Sequence, residues 1–302
     1  MSAQGDSLKT IIFALGANFA IFVSKLAAAI VTGSGSLFAE AVHSLADCGN
    51  QGLLLIGMRQ AKRAPSPEHP LGYGKVVYFW SFLVALLLFS VGGIFSFYEG
   101  LHKLSHPEPL HWPWLALGVL AFGIGAESFS MWGCLREVNK SRGRKSLWRW
   151  FRESRQSELI VVFGEDLAAL LGLTFALAAV AATMLTGDPA YDAAGSILIG
   201  VLLCVVAVFV AREVASLLIG QSAEAGLRGD IAVFVAAQPE VARVFNVITL
   251  QLGPDVMVAT KAEMRGELSG KEMIAAINRV ESAMKVRFPE IRWSFFEPDI
   301  AD

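Results

Sequence analysis

The sequence is short of charge. Only 17% of its 302 residues are Asp, Glu, Lys or Arg, whereas 54% are hydrophobic, and soluble proteins carry about 25% charged residues. The shortage is local, because 31 of the first 219 residues are charged (about 14%), against 21 of the last 83 (about 25%). These proportions exclude a soluble enzyme, a disordered chain and a collagen. They predict a membrane-embedded domain over residues 1–219 and a water-soluble domain over 220–302.

Cysteine and net charge are also scarce. The three cysteines, Cys48, Cys134 and Cys204, lie in apolar stretches and form no Cys-x-x-Cys spacing, which argues against a disulfide framework or a thiolate metal site. A formal net charge of -2 gives no attraction for nucleic acid. The first apolar stretch contains Asn18 and Lys25 and lacks a clear cleavage site, so we expect a retained helix rather than a signal peptide.

Six apolar stretches are long enough for a membrane-spanning helix, which needs about 20 residues. They cover residues 8–32, 36–58, 76–101, 112–135, 157–185 and 191–218. Lys and Arg are concentrated in the loops 59–75 and 136–155 and are nearly absent from the alternate loops. This asymmetry predicts an integral membrane protein with six spans and both termini in the cytoplasm, which we assign to a bacterial inner membrane. The basic loop 136–155 is expected to contact anionic lipid headgroups.

The last 83 residues have the pattern of a small mixed domain. Helices are predicted over 222–238 and 269–287, and strands over 243–252, 256–264 and 290–297, with Gly253-Pro254-Asp255 as a hairpin turn between the first two strands. Ser269 followed by Glu272 is a capping box that marks the start of the second helix. The order αββαβ predicts a three-stranded sheet covered by two helices. A unit of this size is small for independent stability, so we expect it to share its surface with a second copy of the chain.

Ionisable residues inside a bilayer cost about 2.5–3.5 kcal/mol each even on lenient scales, so they mark a functional site. His43 and Asp47 are spaced i, i+4 and therefore share one helix face, with Glu40 three residues before His43. An imidazole and a carboxylate one turn apart form half of a tetrahedral site for zinc or a similar cation. The residues of this kind that lie away from the ends of the predicted spans, and that we single out, are Lys25, Glu40, His43, Asp47, Glu127, Glu165 and Asp166.

Depth arithmetic brings a second helix to the same level. Asp47 lies 11 residues after Ser36, and Asp166 lies 9 residues after Ser157. At 1.5 Å per residue the two carboxylates are roughly 17 Å and 14 Å from opposite faces, which nearly coincides in a core about 30 Å thick. The sequence therefore predicts a metal site with His43 and Asp47 on one helix and Glu165 and Asp166 on the other. A buried proton relay and a polar cluster that only joins helices remain open as alternatives.

Two other acids and one base near this level are assigned supporting roles. Glu40 and Glu127 are interpreted as accessory groups that handle protons or assist the metal, and a purely structural role is equally open for Glu127. Lys25 is the only basic residue at this depth, and we expect it to pair with one of the acids.

Several motifs in order resemble those of the cation diffusion facilitators, the zinc-transporter-type metal/proton antiporters. They are His43-Ser44-Leu45-Ala46-Asp47, then His69-Pro70-Leu71-Gly72-Tyr73-Gly74-Lys75, and then Tyr191-Asp192 followed by Gly195-Ser196-Ile197. The resemblance covers almost the whole chain. It implies a homodimer, formed through the cytoplasmic domain and the membrane helices, with a metallochaperone-like αββαβ domain. It also implies export of a divalent metal from the cytoplasm in exchange for protons.

The resemblance further implies that His43 and Asp47 bind the transported metal together with two residues of the fifth span. Asp166 matches the second of those two, whereas the first falls on Val162, which cannot bind metal. Glu165 is the replacement we predict, and the chain is then most similar to the branch with Glu-Asp in the fifth span. One histidine with three carboxylates keeps zinc as the first choice and admits manganese, iron(II) or cobalt. No cofactor is expected apart from the transported metal.

Accessory metal sites of the family are poorly matched. His69 lacks a second histidine in its loop because Tyr73 stands between the glycines, and no histidine follows His111. His102 and His106 lie with His111 on the predicted outer loop, where a weak release site is an open alternative.

Two other classes of protein fit the sequence less well than a metal transporter. A membrane protease is disfavoured because the chain has no His-Glu-x-x-His pair, so no enzyme is predicted. A non-transporting metal sensor or scaffold is the alternative function, since Val162 removes one expected ligand.

Overall fold

The computed structural model describes residues 3–301 and the side chains from Asn18 onward. Within that range the chain folds into helices α1 (Ala3–Thr32), α2 (Gly35–Ala61), α3 (Val76–Leu87), α4 (Phe95–Ser105), α5 (Pro113–Arg142), α6 (Leu147–Glu153), α7 (Ser157–Thr186), α8 (Ala190–Gly220), α9 (Ala225–Ala236) and α10 (Gly270–Arg287), a π-helical segment at Leu88–Ile94, and strands β1 (Val241–Leu252), β2 (Asp255–Met264) and β3 (Ile291–Pro298). They form two compact units.

Four stretches of the described chain are long and apolar enough to cross a membrane. They are Val76–Ser105, Pro113–Arg142, Ser157–Thr186 and Ala190–Ala236, the last of which contains α8. Helix α2 is not among them, because acidic and amide side chains interrupt its apolar surface. The part of α1 with described side chains, Asn18–Thr32, is apolar but shorter than these four stretches. A membrane protein is therefore supported, whereas the six spans and the position of the termini stay predictions.

The helical unit contains a π-helical segment that the sequence analysis treated as part of one regular span over 76–101. The segment lies between α3 and α4 and includes Gly92 and Gly93. A Cβ atom on Gly93 would lie 2.6 Å from the Cys204 sulfur of α8, so only glycine permits this close approach of the two helices. The wide turn thus occurs where the helix presses against its neighbour.

The N-terminal end of α2 is tied to the start of α8 by one carboxylate. Asp192, only 4% exposed, accepts hydrogen bonds from the Ser34 hydroxyl at 2.7 Å and from the Gly35 amide at 2.5 Å. It also accepts one from the Ser36 hydroxyl at 2.5 Å. The first N–H groups of a helix have no partner within the helix and attract negative charge. Asp192 therefore fixes the end of α2 from another helix.

We predict that Asp192→Ala lowers the free energy of unfolding by at least about 2 kcal/mol, since hydrogen bonds to charged groups contribute about 1.5–3 kcal/mol each. The matched control is Asp188→Ala, because Asp188 is exposed and accepts one bond, from the Ala190 amide at 2.9 Å. We expect the control to cost about 1 kcal/mol or less. Unfolding of the detergent-solubilised protein measures both, and equal effects would contradict this role of Asp192.

The second unit comprises Gly57–Phe79, Leu147–Ser157 and the chain from Ala215 onward. Its sheet has the order β1-β2-β3, with β1 and β2 antiparallel and β3 parallel to β2. The buried core is supplied by both helices and all three strands, including Ile231, Val235, Val258, Val280, Met284 and Ile291. The elements after Gly220 follow the order helix, strand, strand, helix, strand. Their bounds differ from the predicted ones by at most three residues.

Local signals placed two features of this unit. Ser269 caps α10 by accepting from the Glu272 amide, and the Glu272 carboxylate accepts from the Ser269 amide at 2.9 Å. These hydrogen bonds lower the pKa of the exposed Glu272 carboxyl. Gly253, with a φ of 69°, forms the turn between β1 and β2. Its amide donates to the Tyr78 hydroxyl at 2.9 Å, so the first turn of α3 contacts the sheet, which the sequence did not indicate.

Candidate metal site

One face of α2 holds a buried polar stripe. His43 is fully buried, and its Nδ1 lies 3.6 Å from the Asp47 Oδ1. Glu40 and Asn50 are also fully buried and extend the stripe by about one turn in each direction. The helical spacing that the sequence predicted for His43 and Asp47 is therefore present.

Carboxylates from three helices line one cavity. Asp47 of α2 and Glu127 of α5 line it together with Glu165 and Asp166 of α7. Val162, at the position where the family pattern expects a ligand, lines the same cavity. The depth arithmetic had placed α2 and α7 at one level, and the cavity agrees with it. Glu127 lines the cavity beside the other acids. Its accessory role and its structural role both stay predictions.

Neutral donors hold the two acids of α7. The Asn50 side-chain amide donates to the Glu165 Oε1 at 2.6 Å, and the Ser130 hydroxyl lies 3.2 Å from the Asp166 Oδ1. Neither donor carries a charge, so neither forms an ion pair with the carboxyl group that it contacts. No sequence motif indicates that Asn50 and Ser130 are the partners of these acids.

Several buried polar atoms of the α2 stripe have no hydrogen-bond partner among the described residues. They are Glu40 Oε1, His43 Nδ1, His43 Nε2, Asp47 Oδ1 and Asn50 Oδ1. A buried polar atom without a partner costs about 1–3 kcal/mol, and native proteins contain few of them. The Asp47 Oδ1 and one ring nitrogen of His43 are donor atoms of the kind that a cation with nitrogen and oxygen ligands would satisfy.

The side chains do not form a closed cage as they stand. Between residues 3 and 301, no group of three or more His, Cys, Asp or Glu side chains is close enough to hold a metal ion. The acids therefore line a cavity that His43 does not itself line, although its Nδ1 is 3.6 Å from the Asp47 Oδ1. The side chains make no preformed tetrahedral site, and binding would require side-chain movement.

Glu40 is engaged differently from the cavity acids. The Lys25 ammonium lies 3.3 Å from the Glu40 Oε2 and donates to the Ser44 hydroxyl at 2.8 Å, and all three side chains are buried. The expected pairing of Lys25 with an acid is thus present. Because Glu40 is neutralised by Lys25 and is not among the cavity-lining residues, it is a weaker candidate for direct metal binding than Glu127.

We predict that Lys25→Met lowers the free energy of unfolding by about 3 kcal/mol or more, because removing one partner leaves a buried charge uncompensated. The double variant Lys25→Met, Glu40→Met removes both charges with similar volume and should recover most of that loss. Thermal unfolding of the solubilised protein measures both variants. A double variant less stable than the single one would mean that the ion pair itself stabilises the fold.

The three histidines of the predicted outer loop make contacts of different kinds. The rings of His102 and His106 stack with centroids 5.0 Å apart, and the His111 amide donates to the Thr32 carbonyl at 2.7 Å. His69 stacks on Tyr73 at 4.4 Å. These contacts are aromatic and backbone contacts, and they neither support nor test a release site.

A cavity lined by acids within a bundle of apolar helices is the kind of site that a membrane protein for cations requires. Comparison with known families agrees: residues 11–219 match the family described as the cation efflux transmembrane domain. The chain belongs to this family, which confirms the resemblance drawn from the motifs. The family consists of transporters rather than enzymes.

Individual relatives extend the comparison. The chain is 35% identical to the "Proton-coupled zinc antiporter SLC30A9, mitochondrial" of Xenopus laevis, over 85% of this chain and 46% of that protein. It is 32% identical to the "Metal tolerance protein C4" of Arabidopsis thaliana, over 72% and 48%. It is 25% identical to the "Cation-efflux pump FieF" of Klebsiella pneumoniae (strain 342), over 89% and 85%. The chain thus spans about half the length of the first of these relatives.

Proposed function

We propose that this protein exports divalent metal ions from the cytoplasm in exchange for protons, with zinc as the first candidate and manganese, iron(II) or cobalt as alternatives. The observation that carries the proposal is the cavity between α2, α5 and α7, into which Asp47, Glu127, Glu165 and Asp166 face beside the buried His43. The printed names of the relatives, a proton-coupled zinc antiporter and a cation-efflux pump, support it.

The ligand set follows from the donor chemistry. His43 offers a ring nitrogen, and Asp47 and Asp166 offer carboxylate oxygens from the two helices. Glu165 supplies the oxygen that Val162 cannot, since both line the cavity. Glu127 is the accessory acid that takes up a proton or balances charge. A set with one nitrogen and several oxygens is harder than a site with two histidines, which admits manganese and iron(II) beside zinc.

Coupling to protons follows from competition for the same atoms. A metal binds a carboxylate or an imidazole only when that group has lost its proton, so binding releases protons. Protons that reach the cavity from the other side of the membrane would then displace the metal. The unpartnered nitrogen and oxygen atoms of the α2 stripe are where we place this exchange.

The proposal includes an arrangement around the membrane. The protein would cross it six times, with both termini in the cytoplasm of a bacterium and residues 220–302 forming a metallochaperone-like domain. Two copies would pair through that domain and through the membrane helices. The observed sheet with helices α9 and α10 supports the domain assignment, and the four apolar stretches support the membrane.

We expect Asp47→Ala and Asp166→Ala each to reduce metal uptake by proteoliposomes to background while the protein still assembles. Each variant removes a charged ligand from a site that has few others. Asp188→Ala, an exposed aspartate remote from the cavity, is the matched control and should transport normally. Normal uptake by both cavity variants would remove the site assignment, and a wild-type protein that binds metal without uptake would favour the sensor or scaffold.

A second expectation concerns the choice of metal. Val162→His and Glu165→His each add an imidazole to the cavity, and imidazole favours zinc over manganese. We therefore expect both variants to raise the ratio of zinc to manganese uptake several-fold. Val162→Leu, which changes volume without adding a ligand, is the control. An unchanged ranking of metals in both histidine variants would exclude positions 162 and 165 from direct contact with the metal.

A further inference from the structure

The side chain of Asn50 bridges the two helices that carry the candidate ligands. It is fully buried on α2, three residues after Asp47 and seven after His43. Its amide group donates to the Glu165 Oε1 on α7 at 2.6 Å. A hydrogen bond from a neutral donor to a carboxylate is directional and about twice as strong as one between neutral groups.

We propose that Asn50 is a positioning residue that sets metal preference by holding Glu165 where the family pattern has a ligand at position 162. This inference rests on the proposed function. Val162 leaves the α7 side of the cavity one ligand short, and Glu165 replaces it only if its long side chain is held toward the cavity. The Asn50 amide engages one carboxylate oxygen and leaves the other for the cation.

Glu40 and Glu165 are both buried, but their hydrogen-bond donors differ in charge. Glu40 is held by the Lys25 ammonium, which neutralises it. Glu165 is held by an amide, which orients it and leaves its negative charge available to a divalent cation. Groups that orient metal ligands through hydrogen bonds typically change metal affinity 10- to 100-fold when they are mutated. Asn50 meets that description for Glu165.

The ligand that Asn50 positions determines which metal is affected more. Glu165 would add a carboxylate oxygen to the site, and carboxylate oxygens suit harder cations such as manganese better than softer ones. Asn50 is therefore expected to affect manganese more than zinc.

The test is a thermodynamic cycle of metal binding to the full-length, detergent-solubilised protein, titrated with zinc and with manganese. The variants are Asn50→Ala, Glu165→Ala and the double variant, beside wild type. We expect Asn50→Ala to weaken manganese binding about 10-fold or more, and zinc binding less. In the Glu165→Ala background the same change should have almost no further effect, because the carboxylate that Asn50 orients is gone.

Two further variants separate positioning from packing. Asn50→Leu has nearly the same shape but has neither a donor nor a ligand atom, so it should weaken binding as Asn50→Ala does, and it replaces Asn50→Ala in the cycle if that variant does not assemble. Asn139→Ala removes an exposed amide, one whose oxygen accepts from Arg142, and should change nothing. Additive losses in the cycle, or wild-type affinity and metal ranking in Asn50→Leu, would overturn the inference.

The proposed role of Asn50 and the proposed function can fail separately in these experiments. If wild type transports metal and Asp47→Ala does not, while the Asn50 variants match wild type, only the role of Asn50 is wrong. If wild type binds neither metal, the proposed site fails and the inference fails with it.

Discussion

Burial of negative charge inside a helical bundle is the constraint on which the rest of this structure depends. Four carboxyl groups from three helices line one cavity, and each buried charge is costly unless a partner of opposite charge or a set of hydrogen bonds compensates it. The protein meets the cost in two ways. The acid beside Lys25 is neutralised within the protein, whereas those on α7 are only oriented, by Asn50 and Ser130. Under the proposed function, a cation from outside the protein completes the second arrangement.

Helix α2 carries several of these buried polar residues, and side chains of other helices hold it at several points. Its N-terminal end is fixed by Asp192, its middle by Lys25, and the following turns by the contact of Asn50 with Glu165. Because α2 carries polar residues that form these contacts, it is not among the four stretches that are long and apolar enough to cross a membrane. A helix with so many buried polar groups is held in place by specific partners more than by apolar packing. The position of His43 and Asp47 therefore depends on contacts distant from them.

The sequence predicted what depends on local pattern and failed where long-range packing decides. The capping box at Ser269 and the Gly253 turn carry their own signals, and both are present. The common level of Asp47 and Asp166 followed from helix rise alone and agrees with the cavity. The π-helical segment lies where Gly93 approaches Cys204 of α8, a contact between distant residues that no local pattern records. The bond from Asn50 to Glu165 depends on the relative rotation of two helices, which periodicity does not fix.

The most direct test of the account is metal binding by the solubilised protein at several pH values, with proton release recorded in the same titration. If metal and protons compete for the same nitrogen and oxygen atoms, apparent affinity should weaken steadily as the pH falls from about 7.5 to about 5.5, and binding should release protons. Binding that is indifferent to pH and releases no protons would contradict exchange at this site and favour a passive path for metal.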